Sequence, residues 1–112
     1  MISNEGSAIL TDFGSALYLN NLGNARLKNV YYKHIAPEQC TNSTINKKID
    51  IYQIGTTLYR LCNGNEEYNK QARRYKDLNS LKIACAKGKF PIRKKYLPHI
   101  PKEMINIIEK MY

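Results

Sequence analysis

Lys48-Ile49-Asp50-Ile51-Tyr52-Gln53-Ile54-Gly55-Thr56-Thr57-Leu58-Tyr59-Arg60-Leu61-Cys62-Asn63-Gly64 is the stretch that sets the architecture. Read as a helix from about Asn46 to Cys62, it carries Ile49, Tyr52 and Tyr59 on one side. Ile51, Ile54, Leu58, Leu61 and Cys62 occupy the rest, with Ile45 just ahead. Apolar groups nearly all round a helix mark a buried one, because a surface helix keeps a polar face. Ser43, Thr44 or Asn46 can cap its start by accepting a first-turn N–H. Asn63-Gly64 closes it with a residue suited to left-handed backbone. A helix enclosed on every side needs other elements around it.

On the C-terminal side, Asn65 to Tyr75 reads as a polar loop. Asp77 then caps a helix to about Lys87, with Leu78, Leu81, Ile83 and Cys85 as its apolar content, and Gly88 ends it. Phe90-Pro91 and Leu97-Pro98 mark an extended connection. Pro101 opens a last helix over 101–112, in which Met104, Ile107, Ile108 and Met111 fall at i, i+3, i+4 and i+7. On the N-terminal side, the turn signal Asn4-Glu5-Gly6 and the apolar run Ser7-Ala8-Ile9-Leu10-Thr11 predict a β-hairpin over 1–11. From Asp12 to Ile35 there is no period of 2 or 3.6, and Gly14, Asn20-Asn21, Gly23-Asn24 and Asn29 mark a long, functional loop. Ala36-Pro37-Glu38-Gln39-Cys40 starts a short helix with Pro at its first position. The expected fold class is α+β, mainly α: a short hairpin, a long segment, then three to four helices in one domain.

At 112 residues the chain suits one domain at most, with a thin core. No apolar run approaches the ~18 residues of a membrane span. Met1-Ile2-Ser3-Asn4-Glu5-Gly6 has neither the basic start nor the apolar core of a signal peptide. Cys40, Cys62 and Cys85 are odd in number and form no CxxC pair, which argues against a disulfide framework or a zinc site and for a reducing cytoplasm. The net charge of +9 comes from the stretch Lys70 to Lys95, where Asp77 is the lone acid. Such a stretch could meet nucleic acid, an anionic membrane or an acidic protein, but basic and aromatic residues do not interleave as in an RNA-binding strand. It reads first as a solvated face. Asn42-Ser43-Thr44 matches a glycosylation acceptor and is read instead as a helix cap; His34 and His99 have no ligand spacing.

Three short motifs stand in order. Asp12-Phe13-Gly14 follows the strand-like Ala8-Ile9-Leu10-Thr11. Ala36-Pro37-Glu38 comes after a loop of about two dozen residues, and Asp50-Ile51-Tyr52-Gln53-Ile54-Gly55 opens the long helix. In this order and spacing the chain resembles a partial C-terminal lobe of a eukaryotic-like serine/threonine protein kinase. The run from Lys48 to Gly64 and the pattern Tyr96-Leu97-Pro98-His99-Ile100-Pro101 look most like bacterial members of that family.

The resemblance implies roles for these residues. Asp12 would ligate Mg²⁺, a hard cation that takes carboxylate and phosphate oxygens together. Phe13 would pack inward and set where Asp12 faces, and Gly14 would permit the turn between them. Residues 12–38 would form the activation segment. Glu38 pairs in the family with an Arg that this sequence does not contain. Asp50 would accept backbone hydrogen bonds from a catalytic loop; a carboxylate at a helix start is also favoured by the macrodipole alone. Ala36, Pro37 and Gly55 complete the structural motifs. Tyr31 falls where the family places a substrate-contacting Thr, and Lys33 and His34 adjoin it as further substrate contacts. Arg26, Lys28 and Lys33 on the segment would favour an acidic peptide. Between Gly14 and Ala36 the sole Ser or Thr is Ser15, so a Ser/Thr phosphoswitch in the middle of the segment is not expected; Tyr18, Tyr31 and Tyr32 remain.

Phosphoryl transfer also needs a Gly-rich loop, a strand Lys and a catalytic-loop Asp, and none is found in this sequence. The hairpin with half an arm and the uncapped last helix read as a truncation. The resemblance therefore implies a fragment of a kinase that transfers the ATP γ-phosphoryl group to protein Ser/Thr, catalytically incomplete by itself. ATP and Mg²⁺ belong to the intact parent, with tight binding by these residues alone not expected. Expected partners are a protein substrate or the missing kinase segments, with no membrane and no nucleic acid. Two alternatives stay open: a non-catalytic pseudokinase-like binding module or remnant, and a basic nucleic-acid-binding protein.

Overall fold

The computed structural model describes residues 1–28, 34–41, 44–93 and 95–112. Its elements are β1 (Asn24–Arg26), α1 (Pro37–Thr41), β2 (Thr44–Asn46), α2 (Lys48–Ala72), α3 (Leu78–Ala86) and α4 (Lys102–Met111), with a 3-10 turn at Phe13–Ser15. β1 and β2 pair antiparallel, with Ala25 opposite Ile45. The fold is thus α+β and mainly α. No helix among the described residues is long and apolar enough to cross a membrane.

Asn46 Oδ1 accepts the Lys48 N–H at 2.9 Å just ahead of the central helix. The N-cap position is Lys47, however, whose side chain makes no capping bond, so the helix starts two residues later than expected. Thr44 and Asn46 lie in β2 instead, a pairing that the sequence did not announce; Ser43 is outside the described residues. Gly64 breaks the helical path at φ 79°, a conformation that costs Gly little. The chain then resumes helix as far as Ala72, which corrects the polar loop expected over Asn65–Tyr75. Tyr68 and Gln71, three apart, both point into the core, and this burial outweighs the polar composition around them.

α2 is not enclosed, contrary to the sequence reading. Tyr52, Gly55, Thr56, Tyr59 and Asn63 are buried, but Ile51 is 46%, Ile54 48% and Leu61 75% exposed. The elements described flank one side of the helix and leave the opposite apolar stripe uncovered. α4 lies on the covered side, so close that a Cβ added to Gly55 would sit 2.8 Å from Met111 Cβ. The face of α4 turned to α2 carries fully buried Ile108 with half-buried Ile105 and Met111. Met104 and Ile107, assigned to that face from their spacing, are exposed. Tyr112 meets the Tyr52 ring edge-on at 4.9 Å and carries the Arg93 guanidinium 4.8 Å from its ring centroid.

α3 starts at Asp77, whose carboxylate accepts the Ser80 N–H at 2.7 Å; that bond holds the carboxyl below its usual range. The helix ends as a Schellman motif, with Lys89 N–H donating to Ala84 O, Gly88 N–H donating to Cys85 O, and Gly88 at φ 64°. Ala84 and Cys85 face the core, whereas Leu78 and Ile83 are exposed. The core cluster joins Ile35, Tyr59, Tyr68, Ala84, Cys85, Phe90 and Ile108.

A buried polar network ties the 90–97 connection to α2. Gln71 Oε1 accepts the Ile92 N–H at 2.7 Å, and Gln71 Nε2 donates to Tyr59 Oη at 3.2 Å. The Tyr59 hydroxyl lies 3.0 Å from Ile92 O and 3.2 Å from Lys95 O. Asn63 donates to Tyr59 O and accepts the Leu97 N–H. The buried side chains of this network, Tyr59, Asn63 and Gln71, are all hydrogen-bonded, which fixes the connection. Thr56 Oγ1 and Tyr112 Oη nearby are buried without a hydrogen-bond partner among the described residues. At the N-terminus the expected hairpin is reduced to one bridge, Ile2 opposite Ala8, on an exposed ribbon. A two-stranded ribbon with nothing packed on it is marginal.

Candidate functional site

A groove of about 1050 Å³ runs between the Asp12-Phe13-Gly14 turn and the start of α2. Asp12 enters the 3-10 turn at φ 66° and ψ 69° and is the one non-Gly residue with positive φ among those described. Left-handed backbone costs a side-chain-bearing residue energy, and such strain gathers at functional sites. Asp12 Oδ1 lies over Gly14, where an added Cβ would stand 3.5 Å away. Phe13 does not pack inward: its ring is 65% exposed, because no described element lies over it.

Asp50, Gln53, Ile54 and Thr57 of α2 line the opposite wall, so Asp12 and Asp50 open onto one groove together with Lys28 and Lys47. Asp50 is exposed in the first turn of α2, where the macrodipole favours it. Its side chain has no hydrogen-bond partner among the described residues.

α1 is held to this groove by Gln39. Its Oε1 accepts the Ala36 N–H at 2.8 Å, the reach-back half of a capping box, and also the Gln53 Nε2–H at 3.4 Å. The sequence reading missed this link, although Gln39 stands at the third helical position after Ala36, where capping-box spacing could have disclosed it. Pro37 opens α1, and Glu38 sits half-buried in its first turn with no ion pair among the described residues. Gly55 lies on the far side of α2, against Met111, and so acts in packing rather than at the groove.

Tyr31 and Lys33 lie outside the described residues. His34 is described, and its Nε2 meets the Arg60 guanidinium of α2. Arg60 was not foreseen as part of the site; its i to i+26 separation from His34 left no local signal. Cys40 on α1 neighbours Cys85 on α3. Burial, with Cys40 beside it, pushes the Cys85 thiol up to about 12, which makes it an unreactive packing residue. No group of three or more His, Cys, Asp or Glu among the described residues could hold a metal. The donor set is a single strained carboxylate with a second across the groove. It suits a Mg²⁺ ion that takes its remaining ligands from waters and phosphate oxygens, and does not form a cage.

The family model described as "Protein kinase domain" matches residues 1–112. The serine/threonine-protein kinase PrkC of Bacillus subtilis (strain 168) is 29% identical over 114 residues, covering 98% of this chain and 16% of that protein. The mouse (Mus musculus) serine/threonine-protein kinase Nek1 is 28% identical over 114 residues, covering 99% of this chain and 9% of that protein. Human (Homo sapiens) Nek5, also a serine/threonine-protein kinase, is 43% identical over 58 residues, which are 49% of this chain and 8% of that protein. The chain thus spans less than a fifth of the length of these relatives. No solved structure matches it. With the whole of its length matched, the chain belongs to the protein kinase domain family.

Proposed function

We propose that these residues provide the activation segment and helical floor of a serine/threonine protein kinase, which transfers the γ-phosphoryl group of ATP to a protein hydroxyl. The observation that carries this reading is Asp12, held in strained left-handed backbone with its carboxylate at a groove shared with Asp50. Mg²⁺, when bound with ATP, would neutralise phosphate charge and orient the γ-phosphoryl group. Asp12 would be its ligand from this chain. Gly14, with no side chain, leaves room for the Asp12 carboxylate above the turn. Asp50 stands free to accept N–H groups from a backbone loop laid across the groove. The segment from Asp12 to Glu38, anchored by the β1–β2 pair and by Gln39, would carry the protein substrate. The general base and the phosphate-covering loop are not among these 112 residues, and transfer requires both. Free Cys40, Cys62 and Cys85 suit a reducing compartment such as the cytoplasm.

The test is Asp12→Asn in the native polypeptide that carries these residues. Phosphoryl transfer to protein should fall at least a hundredfold, and Mn²⁺ binding followed by electron paramagnetic resonance in the presence of ATP should weaken. Unchanged transfer and unchanged Mn²⁺ affinity would refute the assignment. A second reading, a non-catalytic protein-binding module, is favoured by the uncovered Ile51, Ile54 and Leu61 stripe. Nucleotide-independent capture of a protein partner, lost in Ile54→Lys, with no transfer under any condition, would decide for it.

A further inference from the structure

We propose that Arg60 is a specificity-determining anion receptor, reading an acidic or phosphorylated side chain of the protein that docks on the activation segment. This rests on the kinase reading above and names the substrate class for it. Arg60 is half-buried on α2, and its surroundings fix the guanidinium in place. Nε donates to Asn65 Oδ1 at 2.9 Å, one terminal N–H meets His34 Nε2, and the group lies 4.9 Å from the Tyr68 ring centroid. All three partners are uncharged in these contacts. His34 accepts at Nε2 from a group that has only donors, so its ring is neutral there.

No carboxylate of the described residues pairs with Arg60, and residues 29–33, 42–43 and 94 contain no Asp or Glu. A half-buried charge without a counter-ion is costly, and it persists where an anion is to be bound. The guanidinium is planar and keeps N–H donors beyond the two engaged, in a fork that matches carboxylate and phosphate oxygens. Its location gives the anion a source. His34 immediately precedes Ile35-Ala36-Pro37-Glu38 at the end of the activation segment, so a peptide lying along that segment passes within reach of Arg60. The basic residues of the stretch from Lys70 to Lys95 differ, because most are exposed and solvated, and Lys70, Arg74 and Lys95 already surround Glu67. Arg60 is pre-organised where those are not, so it gives selectivity rather than general attraction.

The experiment uses the native polypeptide carrying these residues, as wild type, Arg60→Lys, Arg60→Gln and Arg60→Glu. Fluorescent peptides with a central Ser carry Glu, phosphoserine, Lys or Ala at one flanking position at a time. Binding is read by anisotropy, and phosphoryl transfer is read separately. Wild type should bind one acid-flanked peptide roughly tenfold more tightly than its Ala counterpart, and Arg60→Lys, which keeps the charge without the fork, should retain only part of that preference. Arg60→Gln should lose that preference, and Arg60→Glu should favour the Lys-flanked peptide instead. A stronger response to phosphoserine than to Glu assigns the anion as phosphate, and the reverse as carboxylate; both support the receptor. Acid preference unchanged in Arg60→Glu, no acid preference in wild type, or equal weakening of every peptide in all three variants would overturn it. Selective binding with no transfer to any peptide would sink the kinase reading alone. Transfer without acid selectivity would sink the Arg60 assignment alone.

Discussion

Replacing Gln71 by Leu tests whether a buried amide holds the 90–97 connection in place. Gln71 is almost fully buried, accepts from Ile92 N–H and donates to Tyr59 Oη and Glu67 Oε1. Leu has nearly the same length and none of these bonds. The two inner bonds contribute about 1 kcal/mol each, and the Ile92 N–H left without an acceptor adds roughly 1–2 kcal/mol. The bond to Glu67 is at the wet edge and counts for little. Burying the Leu methyls in place of the amide offsets roughly 1 kcal/mol. The net expectation is a loss of about 2–3 kcal/mol, read by urea unfolding of the native polypeptide with an unchanged denaturant slope. Tyr59→Phe disturbs the same network, so the double variant should be less damaged than the sum of the singles, with a coupling of about 1 kcal/mol. A Gln71→Leu loss under ~0.5 kcal/mol, or strict additivity with Tyr59→Phe, would show that the network does not hold the connection.

Gly55→Ala should destabilise by about 1–3 kcal/mol and raise hydrogen exchange in α4, because its Cβ would press on Met111 Cβ at 2.8 Å; unaltered exchange in α4 would contradict the close packing. Alkaline pH should weaken the fold. Burial pushes the Cys85 thiol from an ordinary 9.0 and the Tyr112 hydroxyl from 10.0, each up to about 12, so the folded state favours both neutral forms. Their contribution is whole below pH 9 and is lost as pH rises toward 12; a urea midpoint that climbs across that window would contradict the burial. No Ser or Thr lies between Leu17 and Ile35, so the proposed activation segment should not be controlled by a Ser/Thr phosphate; activity that depends on a stoichiometric phosphate at Ser15, the one such acceptor between Gly14 and Ala36, would refute this.

The parts of the fold that local chemistry governs were readable from the residues. Asn46 at the start of α2, Gly64 at its break, Asp77 as the α3 cap and Gly88 at its end each act through their own backbone or a neighbour a few positions away. The three kinase motifs were legible for the same reason, since each is a short run whose order and spacing lie in one dimension. What only the tertiary structure decided depends on distance across the chain. Helix from Asn65 to Ala72 exists because Tyr68 and Gln71 find Phe90 and Ile92 about twenty residues on, which composition cannot foresee. The apolar ring of α2 promised burial, yet which side is covered follows from where α4 and the 90–97 connection lie, and Ile51, Ile54 and Leu61 were left open. Likewise the sequence names Asp12, Asp50, His34 and Arg60 as separate residues. Only packing sets the first two on one groove and brings the last two into contact, because a side chain's partners are fixed by the chain's path in space.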